Sequence, residues 1–522
     1  MLALLIFKAN AQLNLEHNYE FSAVTRVKLQ SSGEKYYELN RIDHTAHLYN
    51  ADHSLWKSIV LPVPQGEITE LFLNHVSESL IDSDESLEFI YSYSVTSPGQ
   101  DPVRQTRIIN EEAQELFIAN TYGVDINQPL GLAPKLFVRL ESADEYMVYG
   151  LPGLALEHTF QTESFLHRAL LENSGEKYYY FSNPDSKLKI FNNDFTSWKS
   201  IDAPKQANYI YDVQSYISES KINPDTQVEA VYRYGFFDSN TFEVDWSLNV
   251  MNESEVLMTV PRGFHLDVSQ IYPDFDKIII QNTISPVTTT VYSAPNLQSE
   301  HVYGENLSIF KLDNSGFKYV VNTDGVLNFY NLDHSFWKSV SPPMPQGFSF
   351  SGITDVSEQL IQPDSSLEIV CQIVKYVGTG VEFGIMVCKE DGTILNQILG
   401  PNHMRRSEFP GLETKFIATQ ATQNFSQTIG SVYAINALSI GGESDSFVTV
   451  YPNPTSGILY ITTSNSEIVQ AEFFTSDGKL IRNDRDDAIQ SLNVEGFATG
   501  LYLIRLTDAD GKTSQHKIAV SP

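Results

Sequence analysis

One ten-residue segment occurs three times along the chain, and this repetition limits the folds that the chain can adopt. Residues 49–58 recur as residues 191–200 and 330–339, and each copy ends in Trp-Lys-Ser. Other motifs recur at the same spacing, so the body is predicted to contain three copies at residues 13–153, 154–296 and 297–437. A fixed long period is typical of architectures that stack similar structural units.

Each copy is predicted to consist of strands, because its apolar runs are short, rich in Tyr, Phe, Val and Ile, and bounded by turn residues. In the first copy these runs are 24–29, 35–40, 46–50, 56–61, 87–93, 104–110, 135–140 and 145–149. Four strands followed by four predict two sheets per copy. The expected fold is therefore all-β, with a six-bladed β-propeller over residues 13–437. Three tandem β-sandwich domains are the alternative, because the strand count permits them equally.

Residues 448–522 carry a different pattern and are predicted to form a separate domain. Alternating apolar runs at 458–462 and 471–474 are followed by an Asp-Gly turn at Asp477 and Gly478. Asp-Gly supplies the positive φ that tight hairpins need. The pattern predicts a small Ig-like antiparallel β-sandwich. A linker rich in Gly, Ser and acidic residues at 438–447 separates it from the body.

This C-terminal segment resembles the type A sorting domain of the type IX secretion system of Bacteroidetes. The matching residues are Tyr451, Pro452, Asn453, Pro454, Gly457, Asp477, Gly478, Gly500, Tyr502, Lys517 and Val520. The resemblance implies that the type IX machinery recognises the domain, carries the chain from the periplasm across the outer membrane and removes the domain. It also implies that the body is then secreted or attached to the cell surface.

The first residues fit the same route. Residues 9–11 read Ala-Asn-Ala after an apolar run, which is typical of a signal-peptide cleavage site. The run is short and no basic residue precedes it, so residues 1–11 are interpreted as the remnant of a signal peptide that starts upstream. The first repeat would then begin directly after cleavage.

Charge limits the partners. The chain has 34 Lys and Arg against 65 Asp and Glu, a formal net charge of −31. Binding to nucleic acid depends on cations that displace counterions, so this balance argues against it. No later stretch is long and apolar enough to predict a membrane span. Two cysteines, Cys371 and Cys388, exclude a disulfide scaffold, although they lie on predicted neighbouring strands where one bridge is possible.

The recurring Asp-His-Ser sequence suggests catalysis, but neighbouring residues on a strand point to opposite faces. Asp52, Asp194 and Asp333 are predicted instead to hold a hairpin, with the following tryptophans packed between sheets. In the second copy Phe195 and Thr196 replace the His and Ser, which excludes a reaction common to all three copies.

Two metal sites are considered. His17, His158 and His301 each follow a glutamate at the repeat period, and a threefold arrangement could bring the imidazoles together around zinc. The alternative is a histidine at a strand end that bonds to a neighbouring group. Calcium could bind the acidic turns at 82–85 and 274–276, although a solvated turn is the simpler reading of both.

His403, Arg405 and Arg406 form the most basic cluster in this acidic chain, so they are candidates for binding an anionic ligand. The leading functional hypothesis is a secreted or surface module that binds a glycan or protein without catalysis. The competing hypothesis is a secreted enzyme that degrades polysaccharide or peptide at an asymmetric site built from loops of one copy. No catalytic residue can be nominated from the sequence.

Overall fold

The structure is a computed structural model that describes residues 12–520 except 65–66, 97–101, 141–143, 224, 240–242, 269–276, 283–286, 295, 362–364, 379, 422–427, 437–447, 452–454, 456, 464–466, 476–478, 487, 499 and 510–512. The predicted signal-peptide remnant and the predicted linker lie outside the described residues. No described segment forms a helix that is long and apolar enough to cross a membrane. The chain divides into two compact units, one of residues 15–359 and 365–434, and one of the remaining residues.

The described part of the body contains seven four-stranded antiparallel sheets and one seven-stranded sheet. The seven-stranded sheet is counted here as two four-stranded sheets that share β9, so the sheets are numbered 1 to 9 in chain order. Sheets 1 to 3 contain β2 (Thr25–Leu29), β3 (Gly33–Asn40), β4 (Thr45–Asn50), β5 (Leu55–Val60), β6 (Glu67–Glu78), β7 (Leu87–Thr96), β8 (Val103–Asn110), β9 (Glu115–Asn127), β10 (Lys135–Leu140), β11 (Glu145–Gly150) and β12 (Ala155–Gln161). Strand β9 belongs to two sheets, because its first half pairs with β8 and its second half with β10. In the hydrogen-bonding pattern, sheets 2 and 3 are therefore continuous.

The second and third repeats follow the same plan. Sheets 4 to 6 contain β13 (His167–Leu171), β14 (Gly175–Ser182), β15 (Lys187–Asn192), β16 (Ser197–Asp202), β17 (Ile210–Ser218), β18 (Glu229–Asp238), β19 (Glu243–Met251), β20 (Val256–Pro261), β21 (Gly263–Val268), β22 (Lys277–Asn282), β23 (Thr288–Ser293) and β24 (Ser299–Tyr303). Sheets 7 to 9 contain β25 (Leu307–Leu312), β26 (Gly316–Thr323), β27 (Val326–Tyr330), β28 (Phe336–Val340), β29 (Ser349–Ser357), β30 (Glu368–Val377), β31 (Gly380–Lys389), β32 (Ile394–Leu399), β33 (His403–Ser407), β34 (Lys415–Ala421), β35 (Thr428–Asn436) and, from the start of the chain, β1 (Gln12–Tyr19).

Each sheet packs face to face on the next. Alternation along β7 illustrates the cause: Phe89 and Tyr91 enter the core shared with sheet 1, whereas Ile90 enters the core shared with sheet 3. The series also closes on itself. Tyr19, Ile417 and Val432 of sheet 9 share a core with Tyr36 of sheet 1, and β1 pairs with β35.

Three sheets per repeat correct the prediction of two, and nine sheets in the body replace the six that a six-bladed propeller requires. The eight strands predicted in the first copy are all present, but β1, β6 and β9 were missed. Strand β6 pairs through two bulges, one between Ile68 and Glu70 and one between Leu73 and His75. Bulges break the alternation of apolar and polar residues by which a strand is recognised in a sequence.

The smaller unit contains the predicted sandwich. One sheet has the order β36 (Val448–Tyr451), β37 (Ile458–Thr463) and β40 (Ser491–Asn493), and the other β39 (Leu480–Arg485), β38 (Ile468–Thr475), β41 (Gly500–Asp508) and β42 (Thr513–Val520). Leu459, Phe473 and Ile504 are among the residues that join both sheets in one core. This arrangement confirms the antiparallel sandwich predicted for the C-terminal residues.

Gly430 on β35 allows sheet 9 to approach sheet 1 closely. A Cβ atom at this position would lie 2.4 Å from the backbone nitrogen of Val24. We therefore expect Gly430→Ala to destabilise the larger unit by about 1–3 kcal/mol, the usual cost of overpacking. Thermal unfolding of the full chain measures the effect. Gly123→Ala is the matched control, because a Cβ on Gly123 meets no atom within 4 Å. Equal melting temperatures for the two variants would contradict the expectation.

Candidate functional site

The Asp-His-Ser segment forms the hairpin between the third and fourth strands of sheets 1, 4 and 7. Asp52 Oδ1 accepts hydrogen bonds from the backbone N–H of Ser54 at 3.0 Å and from its hydroxyl at 2.6 Å. Asp194 and Asp333 accept the same pair of bonds from Thr196 and Ser335. The structure thus confirms that these aspartates hold a turn.

The other recurring residues also join neighbouring elements. Trp56 lies between Lys35 and Lys57, whose ammonium nitrogens are 4.8 and 4.7 Å from its ring centroid. Glu78 accepts hydrogen bonds from the backbone N–H groups of Ser31 and Ser32, and so anchors the β2–β3 turn of sheet 1 to sheet 2. Burial opposes ionisation of Glu78, but the hydrogen bonds from Ser32 and Ser31 outweigh it and lower its pKa. The equivalent residues of the second and third repeats are Lys177, Trp198, Lys199 and Glu219, and Lys318, Trp337, Lys338 and Glu358.

The structure does not bring His17, His158 and His301 together. His17 stacks on His53 of the sheet 1 hairpin, with ring centroids 5.1 Å apart, and His301 stacks on His334 at 5.0 Å. His158 stacks on Phe195 at 4.7 Å in the second repeat. Each imidazole fills a contact between two sheets of its own junction, which corrects the prediction of a shared zinc site. Within the part of the chain that the structure describes, no three His, Cys, Asp or Glu side chains are grouped to hold a metal ion.

The hairpin histidines vary together with a tyrosine. Tyr19 Oη lies 2.8 Å from His53 Nδ1, and Tyr303 Oη lies 2.9 Å from His334 Nδ1. In the second repeat both positions hold phenylalanine, and the rings of Phe160 and Phe195 pack edge-on. The two side chains therefore pack against each other in every repeat, joined by a hydrogen bond in the first and third and as two apolar rings in the second.

This pairing predicts a non-additive pair of substitutions. His53→Phe leaves the hydroxyl of Tyr19 buried without its partner, and we expect a loss of about 1–3 kcal/mol. Adding Tyr19→Phe reproduces the second repeat, so the double variant should recover part of that loss. Urea unfolding of the full chain measures both variants. A double variant that is no more stable than His53→Phe would disprove the packing role.

The acidic turn at 82–85 and the two cysteines also have partners within the fold. Asp82 and Asp84 accept hydrogen bonds from backbone N–H groups two residues ahead, as in Asx turns, and the acidic turn at 274–276 lies outside the described residues. Cys371 and Cys388 are buried free thiols. Cys371 pairs with Met386 across the β30–β31 ladder. The two cysteines are therefore diagonal neighbours and do not face each other directly.

His403, Arg405 and Arg406 lie on β33 and not on a loop. Arg406 Nε is 3.1 Å from Asp355 Oδ2 on β29, so this cation joins sheets 8 and 9. Arg405 lies on the opposite face of β33 from Arg406. Arg406 borders a cavity of about 600 Å³ together with Asp355 and Glu408, and neither His403 nor Arg405 is in its lining, so the three residues do not converge on one anion site.

Asp355 should make stability depend on pH. Burial raises its pKa to about 6, although Arg406 opposes the shift. The folded chain therefore holds this proton more tightly than the unfolded chain, and stability is lost as the pH rises from about 4 through about 6. We expect Asp355→Asn to raise the melting temperature relative to the wild type more at about pH 7.5 than at about pH 5. Asp202→Asn is the control, because this aspartate is 86% exposed and is not among the groups that shift the pKa of Asp355. A difference that does not depend on pH would contradict this assignment.

The junctions between repeats differ from one another in one place. One cross-strand pair occupies the same position at all three junctions. It is Arg139 with Tyr146 at the first, Gln281 with Thr289 at the second, and Thr419 with Gly430 at the third. The facing position on the following repeat is Phe165, Asn306 or Ala23, respectively. The first junction thus has three large side chains where the third has Thr, Gly and Ala.

These differences open a cavity between the first and second repeats. Its volume is about 910 Å³, and we call it the junction cavity. The cavity at the junction of the third and first repeats measures about 250 Å³. Gly430 lies at the latter junction, where a Cβ would meet Val24, whereas the equivalent Tyr146 at the first junction packs in the core shared by sheets 3 and 4. The lining of the junction cavity includes Gly123, Asp125, Asn127, Phe137, Arg139, Asp144, Tyr146, Phe165, His167 and Val213.

Charge and aromatic surface meet in the junction cavity. The Arg139 guanidinium carbon lies 4.8 Å from the centroid of Phe165 and 5.7 Å from that of Tyr146. Arg139 also donates a hydrogen bond to the carbonyl of Glu163 at 3.1 Å. Phe165 is 43% exposed, so part of its ring remains open to a ligand. Burial lowers the pKa of His167 to about 4, which keeps its imidazole neutral at physiological pH, although Asp212 opposes the shift.

Gly123 contributes space to the cavity. It pairs with Arg139 across the β9–β10 ladder, at the position that His265 and His403 occupy in the other repeats. Similarity between the repeats identified the scaffold, and the cavity residues are those at which the repeats differ. Comparison of aligned copies for their differences is the sequence signal that would have found them.

Of the sorting-domain residues predicted from the sequence, Gly500 and Tyr502 begin β41, and Tyr502 Oη donates to the carbonyl of Ala498 at 2.8 Å. The N–H of Gly457 lies 3.2 Å from Thr455 Oγ1. Tyr451 ends β36, and β42 contains Lys517 and ends at Val520. Pro452, Asn453, Pro454, Asp477 and Gly478 lie outside the described residues.

Comparison with known proteins identifies the C-terminal domain. Residues 449–521 match the family model of the secretion system C-terminal sorting domain. This domain belongs to type IX secretion, so the protein is exported to the cell surface or secreted, and the type IX machinery is its partner in export. The search of curated proteins found no match.

Several solved structures are similar at low identity. A B. thetaiotaomicron protein described as the extracellular domain of a hybrid two component system is 10% identical, with a TM-score of 0.27 over 95% of this chain and 72% of that one. Sqt1 of Saccharomyces cerevisiae is 10% identical, with a TM-score of 0.35 over 71% of this chain and 99% of that one. These likenesses are weak, and export is inferred from the C-terminal match alone.

Proposed function

We propose that the exported body is a ligand-binding protein and that its ligand occupies the junction cavity. The observation that carries the proposal is the asymmetry of the repeat junctions. Scaffold residues such as Glu78, Trp56 and Asp52 recur in the other repeats, whereas Gly123 and Arg139 do not. A volume of about 910 Å³ lies in the range of small-molecule sites, and a few polar groups among aromatic rings are typical of them.

We also propose that the nine sheets form a β-propeller. Two observations support it: each sheet shares a core or an ion pair with the next, and β1 completes the last sheet. The cores also cross repeat boundaries, because Phe137 of the first repeat packs with Tyr178 of the second. Three independent sandwiches would place such contacts within each repeat.

Blocking the cavity tests the binding function. Gly123→Trp adds a large side chain into open space on a strand, where the aromatic residue also suits the local structure. We expect the full chain to bind members of a glycan or peptide array, and Gly123→Trp to lose at least tenfold in affinity for them, because the indole occupies the cavity.

Gly304→Trp is the matched control, since Gly304 also faces open space and lies outside the cavity lining. It should bind as the wild type does. Array binding that Gly123→Trp leaves unchanged would overturn the proposed site. Conversion of the bound glycan or peptide to shorter products would overturn the non-catalytic role and favour the degrading enzyme.

A further inference from the structure

We propose that the ligand of the junction cavity is an uncharged carbohydrate chain, an inference that rests on the function proposed above. The polar groups in the cavity are of two opposite kinds. Arg139 provides N–H donors and a positive charge, whereas the carboxylates of Asp125 and Asp144 provide acceptors and negative charge. A ligand that contacts both kinds of group must both donate and accept hydrogen bonds.

Charged ligands fit this set poorly. An anion that approaches Arg139 also meets Asp125 and Asp144, within a chain of formal net charge −31. A cation that approaches the carboxylates meets the guanidinium, which its stacking between Phe165 and Tyr146 keeps in place. Hydroxyl groups both donate and accept hydrogen bonds, so a polyhydroxylated ring satisfies both kinds of partner without net charge.

The apolar part of the lining fits the same ligand. A sugar ring carries C–H groups on its faces and hydroxyls around its edge, and the exposed portion of Phe165 offers a flat apolar surface for such a face. His167, which is neutral, and Asn127 add groups that donate or accept without charge. Val213 of sheet 5 extends the apolar lining beyond sheets 3 and 4, and a volume of about 910 Å³ has room for several rings.

Titration calorimetry on the full chain tests the ligand class. The probes are maltohexaose, cellohexaose, xylohexaose and mannohexaose as neutral chains, hexagalacturonate as an anionic chain and hexalysine as a basic peptide. We expect at least one neutral chain to bind, with an affinity that changes less than twofold between about 50 and about 500 mM NaCl, because no ion pair forms.

Substitutions taken from the third repeat identify the contacts. Arg139→Thr and Phe165→Ala introduce the residues found at the equivalent positions Thr419 and Ala23, and each should weaken the neutral chain about tenfold. Gln281→Thr makes the corresponding change at the next junction and should have no effect. Circular dichroism confirms that each variant is folded, and Arg139→Lys should restore part of the affinity if the cation donates to the sugar.

The outcomes separate the two proposals. Binding of hexagalacturonate or hexalysine that Gly123→Trp abolishes would overturn the inference of an uncharged carbohydrate and leave the cavity as a binding site. Failure of all four neutral chains to bind would also overturn the inference. Binding of a neutral chain that none of Gly123→Trp, Arg139→Thr and Phe165→Ala weakens would overturn both the inference and the proposed site.

Discussion

The burial of both faces of every sheet in the body is the constraint on which the rest of the structure depends. A four-stranded sheet with apolar residues on both faces cannot stand at the end of a stack, because one face would meet water. The body resolves this by packing sheet 9 on sheet 1 and by completing sheet 9 with β1. The aspartates and the Trp–Lys contacts stabilise the first sheet of each repeat from within. Glu78 and its equivalents then anchor that sheet to the next.

The sequence predicted the repeats, the strand class, the turn role of Asp52 and the C-terminal sandwich, because each depends on local pattern. It predicted the wrong number of sheets, because β6 is bulged and β9 changes partner midway. The cavity proposed as the binding site was not predicted. Arg139 and Phe165 are distant in the chain and meet only across a packed junction, and no local rule connects them.

Residues that recur in the three copies and residues that differ between them have different roles in the body. Residues that recur make the same contacts between sheets in each copy. Residues that differ between copies are free of that requirement, and the cavities at the junctions differ in volume, from about 250 Å³ between the third and first repeats to about 910 Å³ between the first and second. Arg405 and Arg406 are also confined to one copy, but Arg406 joins sheets 8 and 9 through Asp355. A cavity also lies beside Arg406, but the carboxylates of Asp355 and Glu408 pair with the guanidinium there. Difference between copies therefore indicates a candidate site only when the cavity and its local charges are considered together.

The pairing of β1 with β35 has a consequence for the order in which the protein matures. The strand made first has its partner near the end of the body, so the series cannot close until almost the whole chain has been synthesised. The match to the sorting domain begins at residue 449, and β35 ends at Asn436. A chain cut short before β35 would therefore lack both the strand that pairs with β1 and the sorting domain that directs export. Export through a C-terminal domain thus acts only on chains in which both β1 and β35 have been made.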